Sequence, residues 1–188
     1  IVIPARDEQG NIAALAEHID RGCAICKISY EIVFVNDGSV DNTLAEMHEA
    51  AAARPNIRIV SHPKSLGITE ALRTGFKHSR GDLIMLLPAD LESNPEDDIP
   101  LLHNKLIQDD LDVVCGWRKN RGDGKEFISS LYNALSRWLF PISVHDMNWI
   151  KMFKRKCLDY LQLRSDWHRF LAQILAEQGF RVGEVETE

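Results

Sequence analysis

The stretch DLIMLLPADLE, residues 82–92, decides the fold of this chain of 188 residues. The apolar run from Leu83 to Leu87 predicts a strand buried on both faces, as in a sheet covered by helices. Proline has no N–H to donate, so strand pairing should stop at Pro88. Asp90 and Glu92 then follow the C-terminal end of the strand, where ligands bind in open α/β sheets. They could hold a divalent cation against a phosphate, although spacing alone favours two solvated loop acids.

Strands and helices alternate along the chain with short connections, which predicts an α/β fold with a mainly parallel sheet. The predicted strands cover residues 1–5, 30–35, 57–61, 82–87, 111–117 and 180–185. Helices are predicted after Asn11, after Ser39 or Asp41 as a cap, over 67–79 with Gly81 as a C-cap, over 95–108, and from Asp166 to about 178. Between them, 119–126 is expected to be a loop, 127–140 an amphipathic helix, and 144–155 a mixed segment.

Acidic residues follow three of the predicted strands: Asp7 and Glu8, then Asp37, then Asp90 and Glu92. Because parallel strands end at the same edge of a sheet, these carboxylates should share one cleft. They would repel one another unless a cation or a hydrogen-bonding ligand is present. Strand-end acids also accept hydrogen bonds from a ribose or a base, although Asp37 could instead cap the following helix. The glycine-rich phosphate-binding motifs of dinucleotide-binding and P-loop proteins are absent from the sequence.

Composition and charge limit the functional classes to which the protein could belong. Hydrophobic residues make up 45% of the chain and its net charge is −6, but residues 117–156 hold nine basic and three acidic side chains. A basic segment in an acidic protein indicates an anionic ligand or a membrane surface, although a solvated helix face fits as well. The net negative charge and the lack of a motif that reads RNA or DNA argue against nucleic-acid binding. The lone C-x-x-C at Cys23 and Cys26 completes no zinc site, and four cysteines fit a reducing cytosol.

Several ordered motifs together make the chain resemble glycosyltransferase family 2. IVIPARDE is similar to the family's "IPAYNE" opening, VNDGSVDNT to "VDDGSTDGT", and LPADLESNPEDDIP to the "DADLQ" metal motif. VVCGWR and the segment ISSLYNALSR…HDMNWIKMFKR resemble the part that distinguishes polyprenyl-phosphate sugar synthases, such as dolichol-phosphate mannose synthase. The resemblance covers nearly the whole chain. It implies a three-layer α/β/α nucleotide-diphospho-sugar transferase fold of the GT-A, Rossmann-like type.

The resemblance also implies roles for single residues. It implies a single domain over 1–188, with a nucleotide-sugar-binding part over 1–117 and an acceptor-binding part over 118–188. The strand-like start at Ile1 favours a domain excised from a longer chain. For the nucleotide sugar the resemblance implies Pro4, Ala5, Asp7, Glu8, Asp37 (on the base), Ala89 and Asp90, and for Mg²⁺ or Mn²⁺ it implies Asp90 and Glu92. For the acceptor phosphate it implies Arg118, Lys125, Ser129, Lys151 and Arg155. The implied catalytic residues are Asp90, Asp146 and Arg118.

The implied reaction is an inverting transfer of a sugar from a nucleoside-diphosphate sugar to a lipid phosphate, at the cytoplasmic face of a membrane, in cell-envelope glycan synthesis. A lipid phosphate is already an anion and needs no strong base, whereas a saccharide hydroxyl would require Asp146 as one. Pro88 stands where the family has the first aspartate of the metal motif, and Glu92 stands where it has glutamine. A non-catalytic nucleotide-sugar-binding or scaffold domain is therefore a second interpretation.

Overall fold

The computed structural model describes residues 1–118, 149–164 and 167–187, without the side chain of Trp167. Seven strands form one sheet in the order β3-β2-β1-β4-β6-β5-β7. The strands are β1 (Val2–Ala5), β2 (Ile32–Asp37), β3 (Ile57–His62), β4 (Leu83–Leu86), β5 (Val113–Arg118), β6 (Lys151–Lys154) and β7 (Val182–Thr187). All neighbouring pairs are parallel except those that β6 makes with β4 and β5. The predicted α/β fold with a mainly parallel sheet is therefore confirmed.

Helices cover both faces of this sheet. They are α1 (Ile12–Cys26), α2 (Thr43–Ala53), α3 (Ile68–His78), α4 (Pro95–Gln108) and α5 (Leu171–Glu177), with 3-10 helices at Arg155–Tyr160 and Trp167–Phe170. The bounds predicted for α4 match the structure, and Pro95 occupies the first turn, where its missing N–H costs nothing. None of the described helices is long and apolar enough to cross a membrane.

Three local predictions differ from the structure. Strand β6 was not predicted, because the mixed segment 144–155 lacks the periodicity of a buried strand. Gly81 does not cap α3, since that helix ends at His78 and Ser79 follows it with its N–H bound to the Gly75 carbonyl. The last predicted helix begins with the 3-10 turn at Trp167–Phe170. The loop 119–126, the helix 127–140 and the cap Asp166 lie outside the described residues.

The core lies on both faces of the sheet because successive side chains of a strand point to opposite sides. Ile3 packs with Phe34 and with residues of α1 and α4, whereas Val2 packs with α3 and α5. On the α3 side the rings of Phe76 and Phe153 meet edge to face, with centroids 5.9 Å apart. The loops beyond the strand ends are therefore carried by a sheet with an apolar core on each face.

Candidate active site

The loops that follow β1 and β2 are joined by hydrogen bonds. The Glu8 N–H donates to Thr43 Oγ1 over 2.7 Å, and the Gln9 N–H donates to Asp41 Oδ2 over 3.1 Å. Asp7, which has a left-handed φ of 56°, accepts a bond from the Val40 N–H over 2.8 Å. Backbone amides thus donate hydrogen bonds to carboxylates at this edge of the sheet, among them that of Asp7.

Asp37 is 5% exposed, and within the described part of the chain its carboxylate accepts hydrogen bonds from residues 62–67. Oδ1 is 2.8 Å from the Leu66 nitrogen and 2.7 Å from His62 Nδ1, which must donate because a carboxylate only accepts. Oδ2 accepts from Ser65 Oγ over 2.7 Å and from the Gly67 N–H over 2.9 Å. Burial alone would raise the pKa of Asp37, but these bonds outweigh it and lower the pKa to about 2.

These four bonds exclude one of the two sequence interpretations of Asp37, the cap of the following helix. The carboxylate does not cap α2, the helix that follows it in sequence. Instead, the Thr43 N–H at the start of α2 donates a hydrogen bond to Asp41 Oδ1 over 2.9 Å. Since a carboxylate offers about four acceptor positions, those of Asp37 are filled from within the chain. The contact between Asp37 and a base stays a prediction, and the observed role of the side chain is to hold the 62–67 loop.

The turn after β4 carries the predicted metal ligands. Strand pairing ends with the Leu87 N–H donating to the Val2 carbonyl, immediately before Pro88, as the sequence predicts. Asp90 Oδ1 then accepts from the Glu92 N–H over 3.0 Å, and Leu91 between them has a left-handed φ of 60°. Leucine rarely adopts this conformation, and strain of this kind is frequent at functional sites.

Strand β6 brings basic residues to the same edge. Because β6 runs antiparallel, its first residue, Lys151, lies opposite Leu86 and Cys115, near the C-terminal ends of β4 and β5. Lys151 is 3% exposed, and its ammonium donates to the Trp149 carbonyl over 2.8 Å. Arg118 ends β5 and pairs with Glu92 over 3.0 Å. Two acidic and two basic side chains therefore meet beyond these strand ends.

A cleft of about 280 Å³ lies at this edge, with Pro4 among its lining residues. Its polar lining comprises Asp90, Glu92, Arg118, Trp149, Lys151 and His168. Burial raises the pKa of the neighbouring Glu8; the Asn11 amide that donates to this carboxylate opposes the rise, and the charge of Asp90 adds to it. Ala5 and Ala89 are buried at the bases of their loops. Of the residues predicted for the nucleotide sugar and the metal, Pro4, Asp90 and Glu92 line this cleft, whereas Asp7, Glu8 and Asp37 lie in the neighbouring loops outside its lining.

The predicted placement of Arg155 is wrong. Arg155 follows the other end of β6, roughly 13 Å from Lys151 along the strand. Its guanidinium donates to the Gly81 carbonyl and to Ser79 Oγ, before the start of β4. The two residues share one sequence segment, but an extended strand carries them to opposite edges of the sheet. Lys125, Ser129 and Asp146 lie outside the described residues.

Sequence reasoning missed three residues at this edge. Trp149 packs in the core and also lies under Arg118, where it lines the cleft. His62 binds Asp37, and His168 lines the cleft. Isolated histidines carry no sequence signal, but the position of His62 at the end of β3 could have identified it.

A larger cleft of about 510 Å³ lies at the opposite edge, between Ile1, Tyr30 and Asp82. None of the predicted site residues that the structure describes lines it. Size alone therefore does not identify the site here. In a mainly parallel sheet the smaller cleft at the carboxyl edge, with its charged lining, is the better candidate.

Comparison with known proteins gives a family match over most of the chain. The family model described as glycosyl transferase family 2 matches residues 1–170. The chain is 29% identical over 192 residues to a dodecaprenyl-phosphate galacturonate synthase of Rhizobium johnstonii, covering 98% of this chain and 56% of the relative. It is 30% identical over 195 residues to an undecaprenyl-phosphate 4-deoxy-4-formamido-L-arabinose transferase of Klebsiella pneumoniae, covering 100% and 59% respectively. The chain thus spans little more than half the length of these relatives.

Solved structures share the fold. A mannosyltransferase of Pyrobaculum calidifontis in complex with GDP-mannose and Mn²⁺ superimposes with a TM-score of 0.68 at 22% identity, covering 98% of this chain and 53% of that one. A glucosyl-3-phosphoglycerate synthase of Mycobacterium tuberculosis in complex with Mg²⁺ and UDP gives a TM-score of 0.73 at 19% identity, covering 98% and 67%. At this level of identity the likeness supports the predicted nucleotide-diphospho-sugar transferase fold.

Proposed function

Because the chain belongs to glycosyl transferase family 2, we propose that it transfers a sugar from a nucleoside-diphosphate sugar to a polyprenyl phosphate, with inversion at the anomeric carbon. One observation carries the proposal: the carboxyl-edge cleft holds two acids, Asp90 and Glu92, beside two bases, Arg118 and Lys151. A reaction between two anionic substrates needs both kinds of charge close to one sugar. The names of the relatives support a polyprenyl phosphate as one of these substrates.

The donor half of the site would be built by β1, β2 and the turn after β4. Pro4, Ala5, Asp7 and Glu8 would line the nucleotide, with Ala89 and Asp90 beside its diphosphate. We place Asp37 behind this site, since its carboxylate already holds the 62–67 loop. A rigid loop would present a base with a fixed set of contacts and would limit the entropy lost on binding.

The chain's own donors fit a divalent cation that is shared with the donor substrate. Within 1–118, 149–164 and 167–187, no three metal-ligating side chains converge, so Asp90 and Glu92 would provide at most two carboxylates. Mg²⁺ is commonly held by one or two carboxylates together with substrate phosphates and water. A bound Mg²⁺ or Mn²⁺ would neutralise the charge of the departing nucleoside diphosphate. Asp90, whose Oδ1 is oriented by the Glu92 N–H, would be its main protein ligand.

The acceptor half would use the cations at the ends of β5 and β6. Arg118 and Lys151 would bind the acceptor phosphate and orient one of its oxygens towards the sugar. Such an oxygen is already anionic at neutral pH, so positioning and charge stabilisation would suffice without a strong base. Lys125 and Ser129 remain predicted acceptor contacts. Asp146 stays a predicted catalytic residue, and its exchange for asparagine should preserve turnover unless it removes a proton from a hydroxyl acceptor.

A lipid acceptor also places the reaction at a membrane surface. We therefore propose that the protein works at the cytoplasmic face of a membrane, in the synthesis of cell-envelope glycans. The basic segment 117–156 supports this location, because anionic lipid headgroups attract clusters of lysine and arginine.

Thermal unfolding tests the donor half of the proposal. The protein would be heated with UDP, GDP, CDP or dTDP, each with and without Mg²⁺ or Mn²⁺. A nucleotide at about 100 times its Kd should add about 2.7 kcal/mol of stability, which corresponds to roughly 5–10 °C for a chain of this size. We expect a shift with one nucleotide that metal enlarges and Asp90→Ala abolishes. Asp159→Ala, at an exposed position outside the cleft, is the matched control.

Transfer of radiolabelled sugar to a short-chain polyprenyl phosphate then tests the acceptor half. Binding of a nucleotide without transfer to any acceptor would contradict the proposed reaction and support a nucleotide-sugar-binding scaffold. No shift with any nucleotide would contradict the donor site itself.

A further inference from the structure

Arg118 is held from two sides. Its guanidinium pairs with Glu92 and lies over the ring of Trp149, with 3.8 Å between Arg118 Cζ and the ring centroid. The Glu92 side chain is 61% exposed, and ion pairs at such positions contribute little. A cation within about 6 Å of a tryptophan face is attracted by the ring, more strongly where water is excluded. Of these two contacts, the ring is therefore the one that does more to orient this arginine.

The plane of Trp149 is itself held in place. Trp149 is 6% exposed, and its Nε1–H donates to Thr187 Oγ1 over 2.9 Å. Thr187, also buried, is the residue of β7 that pairs with Arg118 of β5. One cross-strand neighbour of the arginine thus fixes the ring beneath it.

Gly116 allows the ring to lie this close. A Cβ at Gly116 would stand 2.7 Å from Ile150 Cγ1 and 3.1 Å from Trp149 Cδ1, which is too close for an alanine without movement. The backbone of β5 therefore limits the position of the ring from a further side.

We propose that Trp149 is a positioning residue that acts through Arg118, and that Thr187 sets the orientation of its ring. The inference rests on the proposed function only for the substrate that Arg118 meets, the acceptor phosphate. Trp149 also packs in the core, so its tests must separate orientation of Arg118 from packing.

Four variants make this separation. Trp149→Phe keeps an aromatic face without the N–H, and Trp149→Leu removes the face but keeps apolar volume. Thr187→Val removes the acceptor of the hydrogen bond at nearly constant shape, and Thr187→Ser retains it. We expect Trp149→Leu to raise the KM for a short-chain polyprenyl phosphate by roughly three- to tenfold. The rise should be smaller in Trp149→Phe and Thr187→Val and absent in Thr187→Ser, with the KM of the nucleotide sugar unchanged throughout.

A double-mutant cycle is the decisive comparison. If Trp149 acts through Arg118, Trp149→Leu should add nothing to the acceptor KM of Arg118→Ala. An equal effect of Trp149→Leu in both backgrounds would overturn the proposal. So would equal losses for donor and acceptor in Trp149→Phe and Thr187→Val, which are mild enough to fold if Trp149→Leu does not.

A chemical readout separates this inference from the proposed function. Phenylglyoxal modifies arginine side chains, and mass spectrometry of the peptide that contains Arg118 gives its rate without any substrate. We expect faster modification in Trp149→Leu and Thr187→Val than in the wild type and Thr187→Ser. Equal rates would refute the positioning role even if transfer occurs, whereas faster rates would uphold it even if no sugar is transferred.

Discussion

Exchange of Asp37 for asparagine should lower the free energy of unfolding at pH 7 by about 2–4 kcal/mol. The carboxylate accepts bonds from the N–H groups of Leu66 and Gly67 and from the side chains of His62 and Ser65. Asparagine offers one acceptor oxygen in place of two, and its NH₂ group would face donors. At least one buried donor would therefore lose its partner, and the 62–67 loop would loosen.

The pH dependence follows from the lowered pKa of Asp37, about 2 against the ordinary value of 3.8 for an aspartate. The folded-state pKa is depressed, so the stabilisation is present above the unfolded pKa and is lost as pH falls through the folded one. The difference amounts to about 2 kcal/mol at pH 7, of which about 1 kcal/mol should already be lost at pH 3. Asp37→Asn should lack this pH-dependent stabilisation, so the difference in unfolding free energy between the variant and the wild type should become smaller as the pH falls.

Urea unfolding of both proteins at pH 7, 4 and 3 would measure this difference in unfolding free energy. Asp109→Asn is a suitable control, because Asp109 is an exposed carboxylate paired with Lys105, and its loss should cost less than about 1 kcal/mol. If the difference in unfolding free energy between Asp37→Asn and the wild type stays constant from pH 7 to pH 3, the proposed pH-dependent role of the Asp37 carboxylate is refuted. If the difference in unfolding free energy narrows, nucleotide binding at pH 7 should also be weaker, since the 62–67 loop is held beside the proposed donor site.

Three further exchanges test other parts of the structure. Gly75→Ala should cost about 1–3 kcal/mol in urea unfolding, because its Cβ would overlap Val2 Cγ1; an unchanged midpoint would contradict the close packing of α3 on β1. Glu92→Gln removes the ion pair of Arg118, so the KM for the acceptor should fall by up to about fivefold in steady-state kinetics. A higher metal concentration should be needed for full activity. A rise in the acceptor KM would contradict this expectation. Arg155→Ala should lower the melting temperature but leave the acceptor KM unchanged, whereas a rise like that expected of Arg118→Ala would reinstate Arg155 in the site.

The predictable part of the site is the part that depends on single strands. The run before Pro88 indicated a buried strand, and its end in the structure comes where proline removes the donor. Acids after parallel strands must share an edge, so Asp7 and Asp90 could be grouped without coordinates. Burial and alternation are local properties of the chain, and sequence patterns report them directly.

Partners distant in sequence could not be predicted in this way. The bonds between Asp37 and residues 62–67, and the hydrogen bond from Trp149 to Thr187, join segments whose approach depends on the order of the strands. No periodicity specifies such contacts, because they arise only when separate elements pack together.

The sequence by itself determined the alternation of strands and helices and the edge at which the acids collect, because hydrophobic runs and chain breakers act within a few residues. Only the tertiary structure decided what β6 does. Inserted antiparallel between β4 and β5, this strand carries Lys151 into the cleft and Arg155 away from it. The direction of a strand depends on the partners with which it pairs, and these lie far from it in the chain.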